Sequence, residues 1–158
     1  LFAWALMGFA NVYYGLARRA LDKSIAAAKS KHSLALSRSM AYHPEIQHTI
    51  AQMVIELESI GPHLDRIADD WSSGVDHGAE WPAKIFAAKY RAVEGSWRVV
   101  DLGLDITGGA GIFRSAGYER LLRDARLGRI HPANAFLTHE VVGKTALGIS
   151  LDDQPRWG

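Results

Sequence analysis

The sequence predicts an all-α protein, an antiparallel four-helix bundle in one domain. Apolar residues recur at spacings of three and four over long stretches, and no segment alternates as a strand pair would. Proline and glycine break the pattern at intervals of one helix length. A chain of 158 residues that is 48% hydrophobic and 22% charged has enough apolar surface for a single sizeable core.

Each element follows from local signals. The first helix runs from the apolar start through Leu16, Ala20 and Ala27 to Lys31, with Arg18 and Asp22 as an i,i+4 pair. A loop is predicted from Ser30 to His43, because His43 precedes a proline and is biased away from helical angles, while Pro44 suits the first helical position. The second helix carries Ile46, Ile50, Met53, Val54, Leu57, Ile60, Leu64, Ile67, Ala68 and Trp71 in one phase. Gly61-Pro62 falls inside that run, and a kink rather than a stop is expected because the pattern resumes in phase. After a turn from Ser72 to Gly78, Trp81-Pro82 opens a third helix with Ile85, Ala88, Ala92, Trp97, Val100 and Leu104 on one side, ending at Gly108-Gly-Ala-Gly111. A short charged helix from Tyr118 to Leu127, a turn at Ile130-His131-Pro132 and a last helix from Ala133 to Leu147 complete residues 1–150, with 151–158 as a loosely held tail.

Composition excludes several functions. Eighteen basic and seventeen acidic residues give a net charge of +1, which supplies no field to attract nucleic acid or an anionic membrane. With no cysteine, a disulfide framework, a thiolate metal site and a cysteine nucleophile are all ruled out, and a reducing cytoplasm is compatible. The first seventeen residues carry no charge. They make a poor signal peptide or membrane span, because the first basic residue is Arg18 and Gly8, Asn11 and Gly15 interrupt the apolar run. They read instead as the interior of a buried helix, with further sequence expected ahead of Leu1.

Seven histidines are present, but no pair has ligand spacing with a third partner, so no metal site is expected. His131 stands apart, because it lies in a turn fixed by Pro132 and close to Arg123, Asp124, Arg126 and Arg129. The glycine run at 108–111 is either a helix terminator or a place where backbone N–H groups come close to a phosphate or a ring. The arginines around Asp124 form either a solvated face of ion pairs or an anion site. The aromatic residues Phe2, Trp4, Phe9, Tyr13 and Tyr14 fit core better than a substrate pocket.

In order along the chain, Gly15-Leu-Ala-Arg-Arg-Ala-Leu-Asp22, Ile106-Thr-Gly-Gly-Ala-Gly111, Tyr118-Glu-Arg and Arg123-Asp-Ala-Arg126 resemble the C-terminal domain of the acyl-CoA dehydrogenase superfamily. The resemblance implies a helical bundle that follows two further domains in a larger flavoprotein, packs as a homodimer or homotetramer, and meets a flavin beside a neighbouring subunit's glycine loop. It assigns flavin contact to Thr107, Gly108, Gly109 and Gly111. The family's pattern of an arginine followed by Phe-Gly reads here Lys29-Ser-Lys-His-Ser33, which leaves Lys31 and Arg38 as cations for a flavin phosphate.

Many family members carry a catalytic glutamate in a Tyr-Glu-Gly-Thr-like turn, where this chain has Ile130-His-Pro-Ala-Asn134, so that Pro132 holds the base position. Others place it on the first helix, where no acidic residue precedes Asp22. His131-Pro-Ala-Asn-Ala, with Leu137-Thr-His-Glu140, is more similar to the superfamily's flavin-dependent monooxygenases, in which the matching histidine faces the flavin and assists oxygen chemistry. The leading expectation is therefore a cytoplasmic monooxygenase that takes reduced flavin, FMN or FAD, from a partner reductase and oxidises an aromatic or polycyclic substrate, with His131 catalytic. The second reading is an acyl-CoA dehydrogenase with FAD, and the third a non-catalytic helical interaction module.

Overall fold

The computed structural model describes residues 2–32 and 37–153. Ser33 and residues 154–158 of the expected tail lie outside the described residues. Five helices carry the fold: α1 (Phe2–Ser30), α2 (Pro44–Ser72), α3 (Trp81–Thr107), α4 (Glu119–Gly128) and α5 (Ala135–Leu147), with short 3₁₀ turns in every connection but the last. Among the described residues no helix is long and apolar enough to cross a membrane.

The first three helices run up, down and up. Phe2 packs on Phe86 with ring centroids 6.0 Å apart, and Ser24 faces Gly103 at the other end, so α1 and α3 are parallel. Between them α2 is reversed: Arg91 on α3 donates to Ser59 at 2.8 Å, and Arg98, two turns further on, reaches the earlier Glu56 at 2.6 Å. The fourth leg is in two pieces. Tyr118, at the start of α4, donates to the carbonyl of Val100 at 2.9 Å, and Gly128 at its end lies where a β-carbon would come within 2.7 Å of the Tyr13 ring and 3.0 Å of Val93. This half-leg covers the C-terminal half of α3, and α5 then covers the N-terminal half, where His139 meets Tyr90 edge-on.

The third helix departs from its expected one-sided stripe. Ala83, Phe86, Lys89, Val93, Ser96 and Val99 are buried as well as Ile85, Ala88, Ala92 and Val100, so α3 is the central helix. Small residues make that possible: alanine, serine and glycine along α3 allow neighbouring helices to approach on several sides. The second helix keeps one face, with Met53, Leu57, Ile60, Leu64 and Ile67 buried and Val54 and Trp71 exposed. It continues through Pro62; the missing N–H leaves one carbonyl of the preceding turn without its usual donor, and the buried face on either side holds the helix together.

Candidate functional site

The turn between α4 and α5 is built more tightly than its exposure implies. The half-buried imidazole of His131 packs on Phe9 of α1 with ring centroids 4.0 Å apart, and its Nδ1 lies 3.4 Å from the carbonyl oxygen of Pro132. Ala133 follows at φ 61°, a left-handed angle that an L-residue adopts at a cost of about 1 kcal/mol. That angle sets the start of α5 at Ala135 rather than at the expected Ala133. Asn134 caps the helix, its side-chain oxygen accepting from the Leu137 N–H at 3.2 Å.

Under the turn lies Lys89, 1% exposed. Its ammonium donates to the carbonyls of Pro132 at 3.3 Å and Ala133 at 3.0 Å. Burial lowers its pKa, and the more distant carboxylate of Glu94 opposes the shift. Thr138 adds a second donor to the Ala133 carbonyl at 3.3 Å. Close by, burial raises the phenol pKa of Tyr13, with Asp124 adding to the shift. The turn itself, residues 128–134, contains no carboxylate.

The other predicted site residues gather at the far end of the bundle. The ammonium of Lys31 donates to the carbonyl of Thr107, and the chain at Met40 returns to pair with Lys31. Arg38 lies over the Tyr42 ring at 5.0 Å. Gly108, at φ 62°, ends α3, so the glycine run does act as a terminator. Gly108 and Gly109 are also exposed, with open space where β-carbons would stand, whereas Gly111 is buried against Leu104 and Thr107.

The structure thus brings Lys31, Arg38, Thr107, Gly108 and Gly109 to one end and His131 to the other. From Phe9, against His131, to Ser30, next to Lys31, the axis of α1 covers about 30 Å at ~1.5 Å per residue. Two arginines of α4 follow their ordinary reading as i,i+4 pairs, Arg123 with Glu119 at 2.8 Å and Arg120 with Asp124 at 3.4 Å, while Arg129, just past the helix, reaches Glu94 of α3 at 3.0 Å. The aromatic stretch divides. Tyr13 is core, but Phe2 is 57% and Trp4 71% exposed, and Trp4 lines a largely apolar cavity of about 240 Å³ with Met7, Gly8, Ile67 and Trp71. Sequence reasoning missed this cavity and Lys89. The only signal for Lys89 is its place among Phe86, Ala92 and Val93, three or four residues away on α3.

The sequence and the fold both match known proteins. The family model "Acyl-CoA dehydrogenase, C-terminal domain" covers residues 2–131. The chain belongs to that family. It is 31% identical over 144 residues to the acyl-CoA dehydrogenase FadE12 of Mycobacterium tuberculosis, covering 91% of this chain and 36% of that protein. It is 30% identical over 150 residues to the 3-sulfinopropanoyl-CoA desulfinase of Paraburkholderia xenovorans, covering 94% and 36%. Among solved structures, a probable acyl-CoA dehydrogenase of Mycobacterium abscessus superposes with a TM-score of 0.84 at 27% identity, over 92% of this chain and 37% of that one. The chain therefore spans about a third of the length of these relatives. Their names place them on CoA thioesters, which favours the dehydrogenase reading over the monooxygenase expected from the His131 turn.

Proposed function

We propose that this chain is the C-terminal helical domain of a flavin-dependent oxidoreductase of acyl-CoA dehydrogenase type, acting on an acyl-CoA thioester. The observation that carries the reading is the match of residues 2–131 to the acyl-CoA dehydrogenase C-terminal domain, with relatives whose names place them on CoA thioesters. His131, seated on Phe9 in the turn between α4 and α5, is the one titratable side chain between Ile130 and Asn134. An imidazole offers one ring nitrogen as donor and the other as acceptor, so it can take a proton from a group placed against it. Pro132 follows it directly in the chain, and the Phe9 ring lies against it with centroids 4.0 Å apart.

The far end suits the phosphates of a flavin such as FAD. Gly108 and Gly109 present backbone with no side chain in the way, and Lys31 and Arg38 lie at the same end. A flavin held there would supply two-electron redox chemistry. Because the two ends of one copy are about 30 Å apart along α1, a single flavin meeting both does so in a homo-oligomer, with the glycine end of one copy beside the His131 end of the next. The exposed aromatic residues Phe2 and Trp4 then line the substrate side of α1.

Anaerobic titration of the full-length protein with acyl-CoA thioesters tests the reading. Substrate-dependent bleaching of the flavin without O₂ is expected, and His131→Ala should slow it by roughly 10²- to 10⁴-fold. A protein that holds flavin but bleaches with none of these thioesters overturns it. Oxidation of an aromatic substrate only when reduced flavin and O₂ are supplied establishes the second reading, the monooxygenase, which His131 in place of a carboxylate supports. A full-length protein that binds no flavin leaves the non-catalytic module.

A further inference from the structure

A buried ammonium that faces backbone carbonyls instead of a carboxylate has a position to hold. We propose that Lys89 is the positioning residue of the His131 turn: by binding the carbonyls of Pro132 and Ala133 together, it keeps the imidazole of His131 against Phe9. For its functional meaning this rests on the reading that the turn faces the reacting groups.

Four observations carry the proposal. Lys89 is 1% exposed on the central helix, a place where an unbranched apolar side chain of similar length would pack without the desolvation that an ammonium incurs. Its recorded partners are the carbonyl of Pro132 at 3.3 Å and that of Ala133 at 3.0 Å, while Glu94, the charge that acts on it from a distance, is engaged by Arg129 at 3.0 Å. The Pro132 carbonyl is also the one 3.4 Å from Nδ1 of His131, so lysine and imidazole meet on a single oxygen. Ala133 is the one non-glycine residue with a positive φ among the described residues, and such an angle persists where the surroundings over-determine it.

Removing the ammonium frees Ala133 to relax toward negative φ, which rotates the peptide plane at Pro132 and carries His131 off Phe9. Thr138 still donates to the Ala133 carbonyl, but it does not reach Pro132, so it cannot hold the turn alone.

The test is a nuclear magnetic resonance measurement on the chain, and it needs neither flavin nor substrate; a failure of the functional reading therefore leaves it interpretable, and the reverse also holds. The Phe9 ring, tilted 58° to the imidazole at a centroid distance of 4.0 Å, should displace the His131 ring-proton resonances by its ring current, an assignment that Phe9→Leu confirms by abolishing the displacement. Lys89→Met should lose the displacement while the helical far-UV spectrum is retained. Lys89→Met with Ala133→Gly should recover it in part, because glycine takes the left-handed angle without strain; a lysine that only filled the core would not be rescued by a change at Ala133. Retention of the displacement in Lys89→Met overturns the proposal, and so does a folded double variant without recovery. Should Lys89→Met not fold, the unaltered chain labelled with ¹⁵N-lysine and with ¹³C at the proline carbonyls decides. Slowly exchanging ammonium protons correlated with the Pro132 carbonyl carbon are expected, and an ammonium that exchanges as fast as those of exposed lysines overturns the clamp.

Discussion

One methyl group added at Gly103 has nowhere to go. A β-carbon there would lie 2.5 Å from the Ser24 hydroxyl and 2.9 Å from the Tyr118 ring, and closer still to the Tyr118 hydroxyl. Those atoms belong to α1 and to the start of α4, so relief requires three helices to separate. Overpacking of this kind costs about 1–3 kcal/mol. Replacing a mid-helix glycine with alanine returns roughly 0.5–1 kcal/mol through the backbone, which leaves Gly103→Ala destabilised by up to about 2.5 kcal/mol. For a domain of this size that corresponds to a fall of up to roughly 10 °C in Tm.

The same contact makes a sharper test. Tyr118→Phe alone loses the hydrogen bond to Val100, worth about 1 kcal/mol, yet it also removes the nearest obstacle to the new methyl. The double variant should therefore be less destabilised than the sum of the singles, by about 1 kcal/mol. Denaturant midpoints for the four proteins, with unchanged slopes, give the comparison. A stabilised Gly103→Ala, or strict additivity, would refute the packing argument at the α1–α3–α4 junction.

Three other measurements bear on separate parts of the molecule. Hydrogen bonds from His77 and then Arg66 hold the Asp70 carboxyl below the usual carboxylate range; a depressed folded pKa adds stability above the unfolded value and loses it as pH falls. Asp70→Asn should therefore flatten the loss of stability below about pH 4 relative to the unaltered chain, and identical acid limbs would count against the link. Asn134→Ala removes the cap of α5 and should lower stability by about 1 kcal/mol, with faster amide exchange at Leu137 as the local sign. Exposed Phe2, Trp4 and Phe136, the last 87% accessible, should make the chain self-associate, and a clean monomer in sedimentation at high concentration would contradict this.

The helices were legible because their signals are local. Proline at the first positions of α2 and α3, glycine after α3 and one apolar period per helix all act within a turn or two of the residue that carries them. Central placement of α3 was not legible, because burial on all sides depends on which neighbours arrive, and alanine, serine and glycine read alike on a buried or a bare surface. Lys89 reads as a surface residue by type, and its burial appears only once the α4–α5 turn folds over it. Ala133 carries no mark of its left-handed angle; Asn134, a good cap, was the one hint that α5 begins after it. The candidate site residues came from the family resemblance and, for His131, also from its place in a proline-fixed turn; what the structure adds is where each of them lies. Their division between two ends of the bundle came from the threading of α1 and α3, which no motif encodes.

That division has a genetic consequence. Under the proposed assembly each flavin draws its glycine loop from one copy and its histidine turn from another, so defects at the two ends complement. Mixed with His131→Ala copies, copies carrying Gly108→Val form pairs in which one shared site contains both lesions and the other contains neither. Two preparations that are inactive alone should then regain activity on mixing, up to one working site per mixed pair. Two variants altered at the same end should not.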